Sequence, residues 1–167
     1  IFNKSGIDTQ RLNTFCDKGN DLIDFPNSVM ISKDEFFALK TDVIFPAALE
    51  DQITVENSHD LNCKVIVEAA NGPVTLEADT ICKSKNIVVI PDILANSGGV
   101  LVSYYEWKQN KIKESWENST LETKFYDKLN IVSNKIFSNY IVNDNISLRD
   151  LCYIHSLKNL EKKFNNS

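Results

Sequence analysis

The chain has few glycines, few cysteines and no long apolar run, and each shortage excludes a class of structure. Its five glycines cannot be arranged as the G-x-G-x-x-G phosphate loop of many dinucleotide-binding domains. Its four cysteines lie far apart without metal-ligand spacing, so we predict no metal site and expect small, buried thiols. No apolar run approaches the roughly 20 residues of a membrane-spanning helix, so we expect no membrane partner.

The charge is mildly acidic, with a formal net charge of −5 over 167 residues. Lys and Arg are scattered without a basic stripe, so we expect no nucleic-acid partner. The composition, 43% hydrophobic and 25% charged, is typical of a soluble globular domain. Unpaired cysteines indicate a reducing compartment, the cytoplasm or the mitochondrial matrix. The chain lacks an initiating Met and opens on apolar residues, so we expect it to be part of a longer polypeptide.

The middle of the chain predicts a β-α-β unit. Two apolar runs rich in β-branched residues, at 65–67 and 87–90, end abruptly at polar or proline-containing turns, as buried parallel strands do. Between them, 75–85 has its apolar residues on one helical face. The turns at 71–73 and 91–99 therefore follow the carboxyl ends of strands, where open α/β sheets hold their ligands.

The flanking segments extend this α/β pattern. A short apolar run at 29–31 predicts a short strand or an approach to one, and the run at 42–45 predicts a buried strand. Apolar positions recur with helical spacing over 121–140, and the polar run 143–145 is expected to end that helix. Ser147 is placed to cap a last helix.

Four successive runs carry a family resemblance: DVIFPAALEDQIT (42–54), EAANGPVTLEAD (68–79), IPDILANSGGV (90–100) and VSYYEW (102–107). Their order and spacing resemble the C-terminal, nucleotide-binding domain of the glutamate dehydrogenases, within the glutamate/leucine/phenylalanine/valine dehydrogenase family. The resemblance is dense over 42–110 and thinner but continuous on either side.

The resemblance implies an α/β fold, a partial Rossmann-like parallel sheet of about four strands flanked by helices, with a helical C-terminal tail. It places a partial NAD(P)-binding domain at 1–115 and C-terminal helices that pack back on it at 116–167. The chain begins like the family's segment just after the second strand. The first strand, the glycine-rich loop and the residue that selects NAD or NADP are therefore expected to lie outside it.

The resemblance also assigns cofactor-binding residues for NAD or NADP: Pro46, Ala47, Ala48, Asn71 and Asn96. The first three would line the adenosine half of the groove, although the residues alone equally fit a strand-to-helix turn. Asn71 would bind the nicotinamide-side ribose, and its alternative is an Asx-turn before glycine. Asn96 would bind the carboxamide, and the small residues after it at 97–99 leave backbone N–H groups open to a ligand.

Two further residues would contact the substrate. By resemblance, Ser103 binds the side-chain carboxylate of glutamate, and Val100, one turn earlier, packs against its aliphatic part. Relatives that act on leucine, valine or phenylalanine generally lack this serine. Its alternative is a helical serine that hydrogen-bonds its own backbone.

We assign no catalytic acid or base in this chain. Glu77 and Asp79 follow the predicted cap Thr75 in a first helical turn, where carboxylates are favoured by the helix dipole. By resemblance, the catalytic lysine and aspartate come from an N-terminal substrate domain, so we expect this chain to be inactive alone.

The resemblance therefore implies the nucleotide-binding portion of an NAD(P)-dependent glutamate dehydrogenase. The intact enzyme would interconvert L-glutamate with 2-oxoglutarate and ammonia by hydride transfer, as a homohexamer. The alternatives are a dehydrogenase of leucine, valine or phenylalanine, and a truncated, non-catalytic domain that binds nucleotide weakly.

Overall fold

The computed structural model describes residues 1–142 and 146–166, and the chain divides into two units. The first unit holds Ile1–Lys40 with the short segment Asp60–Asn62. The second holds Thr41–His59 and the chain from Cys63 on. The boundary that we expected between residues 115 and 116 stays a prediction.

The first unit is built from short helices with local caps. They are α1 (Thr9–Asp17), a single 3-10 turn (Leu22–Asp24) and α2 (Lys33–Ala38). Ser32 Oγ accepts a hydrogen bond from the Glu35 N–H over 3.1 Å, and Glu35 Oε2 accepts one from the Ser32 N–H over 2.7 Å. This reciprocal arrangement satisfies two backbone donors at the start of α2.

The strand predicted at 29–31 does not form. In the described part of the chain, Val29 makes only an isolated antiparallel bridge with Phe2. Val29 is 58% exposed and Met30 is 70% exposed, so most of this apolar run lies open to solvent. A run of three residues is too short to decide between a buried strand and an exposed extended segment.

The second unit contains a parallel sheet, confirming the predicted fold class. Within the described residues it has three strands, β1 (Val43–Ile44), β2 (Val65–Val67) and β3 (Val88–Ile90), so the expectation of about four was too high. The strands lie in the order β1-β2-β3, and every neighbour is parallel. Ile66 in the central strand is fully buried.

Helices flank this sheet and continue into the tail: α3 (Val55–Ser58), α4 (Leu76–Ser84), α5 (Asp92–Ala95), α6 (Ser97–Ile112), α7 (Asn118–Ile141) and α8 (Leu148–Asn165). The predicted helices at 75–85 and 121–140 are confirmed. Thr75 and Ser147 cap α4 and α8 as expected, since each accepts a hydrogen bond from the backbone three residues on. The break predicted at 143–145 lies outside the described residues. No helix in the described ranges is both long enough and apolar enough to cross a membrane.

The C-terminal helices pack onto the β3 side of the sheet. Leu94, Ile136, Leu148 and Cys152 form one buried cluster. Val88 and Ile90 of β3 pack against this cluster. Burial of these side chains therefore holds α5, α7 and α8 beside β3.

Candidate functional site

The carboxyl ends of the three strands meet at one edge of the sheet, and an open groove of about 540 Å³ lies there. Its lining comes from the segments that follow the three strands: Ala48, Leu49, Glu50, Ala69, Ala70, Asn71, Asn96 and Val100. Small side chains and amides predominate. The volume falls within the roughly 300–1,000 Å³ of small-molecule sites.

A hydrogen bond between two asparagine side chains crosses this groove. Asn96 Nδ2 donates to Asn71 Oδ1 over 2.7 Å and also approaches the Ala69 carbonyl at 3.4 Å. Among the described residues, nothing hydrogen-bonds to Asn96 Oδ1 or accepts from Asn71 Nδ2. The pair therefore offers one acceptor and one donor group to a ligand.

The turn after β2 is held in an unusual backbone conformation. Gly72 has φ of +55°, in the left-handed region that favours glycine. Its N–H donates to Asp92 Oδ2 over 2.9 Å, which ties the turn to the start of α5. Asn71 is thus positioned by a turn that is anchored to the neighbouring strand's loop.

The structure brings four of the predicted site residues together in the groove: Ala48, Asn71, Asn96 and Val100. Pro46 and Ala47 are not among the residues that line it. Pro46 is buried, and its carbonyl accepts a hydrogen bond from the Ala70 N–H over 2.9 Å. Pro46 therefore joins the turns after β1 and β2.

Ser103 lies on the exposed part of α6, beyond the lining of the groove. Its Oγ donates to the Gly99 carbonyl over 3.2 Å, the backbone hydrogen bond named as the alternative. Hydroxyl groups rotate readily and can share or exchange such a bond. The assignment of Ser103 to substrate stays a prediction.

The two glycines at the start of α6, Gly98 and Gly99, have different surroundings. A Cβ on Gly98 would lie 3.1 Å from Cζ of Phe125, so this glycine allows α7 to pack closely against α6. A Cβ on Gly99 would meet nothing within 4 Å. The Gly99 N–H already donates to the Asn96 carbonyl over 3.3 Å, so the expected opening of this backbone N–H to a ligand is not seen at Gly99.

Sequence reasoning missed a charged cluster beside the groove. Arg149 on α8 makes two parallel hydrogen bonds to Glu68, Nη2 to Oε1 over 2.7 Å and Nη1 to Oε2 over 3.0 Å. Its Nε donates to Asp79 over 2.9 Å, and Nη1 lies 3.5 Å from Asp92. The Glu68 side chain is fully buried and that of Arg149 is 13% exposed. The only feature of the sequence that could have indicated this cluster is the ionisable residue Glu68 directly after a predicted buried strand.

This cluster gives Asp79 a structural partner. Burial by itself lowers the pKa of the Arg149 guanidinium, but its hydrogen bonds to Glu68 and Asp79 outweigh burial and raise that pKa. Arg149 is therefore cationic at every ordinary pH. Asp79 pairs with this cation and so has a structural role in the cluster.

The four cysteines are free thiols, and they differ in how deeply they are buried. Cys82 and Cys152 are buried as expected, and burial raises the pKa of Cys82 to about 12 and that of Cys152 to about 11. Cys16 is exposed, so the expectation of a buried thiol was wrong there. In the described ranges, no group of three His, Cys, Asp or Glu side chains is placed to hold a metal ion.

Residues 1–166 match the family model described as Glutamate/Leucine/Phenylalanine/Valine dehydrogenase. The NAD-specific glutamate dehydrogenase of Clostridioides difficile is 39% identical over 163 residues, which cover 95% of this chain and 37% of that protein. The NADP-specific glutamate dehydrogenase of Synechocystis sp. is 38% identical over 173 residues, which cover 97% of this chain and 40% of that protein. The chain thus spans about two fifths of the length of these curated relatives.

Solved structures share the fold. The crystal structure of glutamate dehydrogenase from Peptoniphilus asaccharolyticus superposes with a TM-score of 0.72 at 34% identity, over 96% of this chain and 35% of that one. The hetero-hexameric glutamate dehydrogenase from Thermus thermophilus, in its Leu-bound form, gives a TM-score of 0.82 at 23% identity. The second match covers 97% of this chain and 38% of that one, and it supports the fold alone.

Proposed function

Because the chain belongs to the glutamate/leucine/phenylalanine/valine dehydrogenase family, we propose that it is the nucleotide-binding portion of an NAD- or NADP-dependent glutamate dehydrogenase. The intact enzyme interconverts L-glutamate with 2-oxoglutarate and ammonia. The observation that carries this proposal is the groove at the strand ends, where Asn71 and Asn96 meet.

The chemistry of the groove fits a nicotinamide dinucleotide. The unused Asn96 Oδ1 can accept a hydrogen bond from the N–H of a carboxamide, and the unused Asn71 Nδ2 can donate one to a ribose hydroxyl. Asn96 binds the carboxamide and Asn71 the adjacent ribose. A bound nicotinamide would supply the hydride acceptor for oxidation of the amino acid. Asn96 and Asn71 would hold and orient the nicotinamide end of the cofactor.

The adenosine half is assigned to the turn after β1. Ala47 and Ala48 are exposed and carry the smallest chiral side chains, so a planar ring can approach their backbone closely. Pro46 supports this turn through its hydrogen bond from Ala70. The pyrophosphate requires donors from outside this chain, so we expect weak cofactor affinity for the chain alone.

The substrate end of the groove is assigned to α6. Val100 lines the groove and packs against the aliphatic part of glutamate. Ser103, one turn further along, donates to the side-chain carboxylate. A serine hydroxyl favours glutamate over leucine, valine or phenylalanine, because it can donate to the side-chain carboxylate that only glutamate carries.

We propose that the remaining parts of the active site are supplied by other segments of the intact polypeptide. A lysine and an aspartate from another domain supply the electrophile and the base. The intact enzyme is a homohexamer, located in the cytoplasm or the mitochondrial matrix.

Turnover by the intact enzyme tests the proposal. The enzyme is given glutamate, leucine, valine or phenylalanine in turn, with NAD or NADP, and formation of the reduced nicotinamide is followed by absorbance. The proposal expects kcat/KM for glutamate to exceed that for each apolar amino acid by at least about 100-fold. A preference for an apolar amino acid would assign the chain to another dehydrogenase of the family. No turnover with any of the four would support the non-catalytic alternative.

A further inference from the structure

We propose that Arg149 is a positioning residue, which holds the two loops of the cofactor groove in register through Glu68 and Asp92. Arg149 lies on α8, and none of the described residues of that helix lines the groove. This inference rests on the proposed function, since it concerns the groove assigned to the dinucleotide.

The first step of the argument is the burial of Glu68. Its side chain is fully buried, and a buried carboxylate is stable only when it is paired and hydrogen-bonded. Arg149 supplies that pairing through two parallel hydrogen bonds of 2.7 and 3.0 Å. Such a bidentate pair fixes orientation as well as distance. Arg149 therefore determines where the Glu68 carboxylate lies.

Glu68 in turn fixes the start of α5. Its Oε2 accepts a hydrogen bond from the Asp92 N–H over 2.7 Å. The Asp92 carboxylate then accepts the Gly72 N–H over 2.9 Å. The loops after β2 and β3 are therefore joined by hydrogen bonds that run from Arg149 through two carboxylates.

Both amides of the groove are attached to these loops. Asn71 directly precedes Gly72, and Asn96 directly follows α5 (Asp92–Ala95). Their mutual hydrogen bond of 2.7 Å requires the two loops to keep one relative position. A shift of Glu68 or Asp92 would move the two amides apart, so the effect of Arg149 reaches the groove without direct contact.

Arginine is required by the geometry of the cluster. Three carboxylates converge on its guanidinium: Glu68 at 2.7 Å, Asp79 at 2.9 Å and Asp92 at 3.5 Å. A planar guanidinium has five donors and serves several carboxylates at once, whereas a lysine ammonium is a single point of charge. Without the cation, like charges would repel within this partly buried cluster.

The test separates positioning from general stability by removing both charges of the buried pair. Four forms of the intact enzyme are compared: the parent, Arg149→Lys, the double variant Glu68→Gln/Arg149→Met, and the control Lys158→Met on an exposed position of α8. The double variant leaves no unpaired buried charge at position 68, and Asp79 and Asp92, which lose their cation, are partly exposed, so the variant is expected to fold. The readouts are the Kd for NADH and NADPH, from the fluorescence of the bound nicotinamide, and hydrogen exchange at the Gly72 and Asp92 amides.

We expect the double variant to raise the Kd for the cofactor about tenfold, because it loses the hydrogen bonds that hold the two loops of the groove in place. The Gly72 and Asp92 amides should exchange faster in it, while those of β2 keep the parent's protection. Arg149→Lys keeps the charge and loses the bidentate geometry, so an intermediate rise in Kd is expected. Lys158→Met should match the parent in both readouts.

A folded double variant with the parent's Kd and exchange rates would overturn the inference. If the double variant does not fold, Arg149→Lys decides, because an unchanged Kd and unchanged exchange at Gly72 in that variant would also overturn it. A parent that binds neither dinucleotide contradicts the proposed function instead. In that case the exchange readout still decides whether Arg149 holds the two loops.

Discussion

The side chains of Asn71 and Asn96, which are 25 residues apart in the sequence, are joined by a hydrogen bond of 2.7 Å from Nδ2 of Asn96 to Oδ1 of Asn71. Each asparagine follows a different strand of the parallel sheet, so their meeting depends on the register of β2 and β3. Because each amide orients the other, the pair should behave as one binding unit.

Replacing either asparagine should weaken cofactor binding in the intact enzyme. Each of Asn71→Ala and Asn96→Ala removes one ligand contact and leaves the other amide without its partner. A net hydrogen bond contributes about 1 kcal/mol, so each variant should raise the Kd for the dinucleotide about fivefold. Fluorescence titration measures this, and Asn134→Ala on the exposed side of α7 is the control.

The double variant Asn71→Ala/Asn96→Ala completes this test. If the two residues act as a unit, its loss of affinity should be smaller than the sum of the two single losses in free energy. Strictly additive losses would mean that the two amides contact the ligand independently. Unchanged affinity in all three variants would exclude the groove as the nicotinamide site.

Ser103→Ala should affect the substrate and spare the cofactor. Removing the hydroxyl takes away a donor to the glutamate carboxylate, and hydrogen bonds to charged groups contribute about 1.5–3 kcal/mol. We therefore expect kcat/KM for glutamate to fall about 10- to 100-fold, with an unchanged Kd for the dinucleotide. Steady-state kinetics of the intact enzyme provide the measurement.

Ser138→Ala, at an exposed position of α7, is the matched control for Ser103→Ala. Because Ser103 Oγ already donates to the Gly99 carbonyl, a purely local role would leave glutamate kinetics unchanged. That outcome would remove Ser103 from the substrate site.

The buried pair of Glu68 and Arg149 predicts a strongly coupled effect on stability. Arg149→Met leaves a buried carboxylate without its cation, and breaking a buried pair in this way costs about 3–5 kcal/mol of the free energy of unfolding. Glu68→Gln/Arg149→Met should recover most of that loss, because no unpaired buried charge remains at position 68. Urea unfolding of the parent, Arg149→Met and the double variant measures this recovery of stability. Equal stabilities for the single and double variants would contradict the prediction.

Cys82 predicts a loss of stability at alkaline pH. Burial raises the pKa of this thiol from 9.0 to about 12, so the folded chain holds the proton more tightly than the unfolded chain. Its contribution is complete below pH 9.0 and is lost as the pH rises towards about 12. At about pH 10.5 the loss should reach roughly 2 kcal/mol.

Cys82→Ala isolates this effect. The variant should lose less free energy of unfolding than the parent between about pH 8 and 10.5, because it has no thiol to titrate at this position. Cys16→Ala removes an exposed thiol and should follow the parent. Parallel pH curves for the parent and Cys82→Ala would show that burial does not perturb this thiol.

The two glycines at the start of α6 should respond in opposite ways to alanine. Gly99→Ala introduces a Cβ into open space within a helix, so the free energy of unfolding should rise by about 0.5–1 kcal/mol. Gly98→Ala brings a Cβ to 3.1 Å from the Phe125 ring and should be the less stable of the two. Equal stability of the two variants would show that the Phe125 ring does not restrict a side chain at position 98.

The sequence was informative where a pattern is local. The runs that became β2 and β3 are β-branched and end at turns, and the caps at Thr75 and Ser147 lie beside the helices that they start. Because ligands bind at the carboxyl ends of parallel strands, the turns at 71–73 and 91–99 could be predicted to lie at a binding site, and the family resemblance selected Asn71 and Asn96 within them.

The parts that escaped prediction depend on distant contacts. Arg149 and Glu68 are 81 residues apart, and no periodicity or motif relates a helix near the end of the chain to the end of a central strand. The run that begins at Val29 could be predicted only as a short strand or an approach to one, because three apolar residues carry no information on whether anything covers them. Close packing of Gly98 against Phe125 likewise requires the position of α7.

A crystal structure of the intact enzyme with a nicotinamide dinucleotide and 2-oxoglutarate would test the central claim most directly. Our account predicts the carboxamide within hydrogen-bonding distance of Asn96, the adjacent ribose at Asn71, and the distal carboxylate of 2-oxoglutarate at Ser103 Oγ. A dinucleotide bound elsewhere, with this groove filled by solvent, would contradict the account.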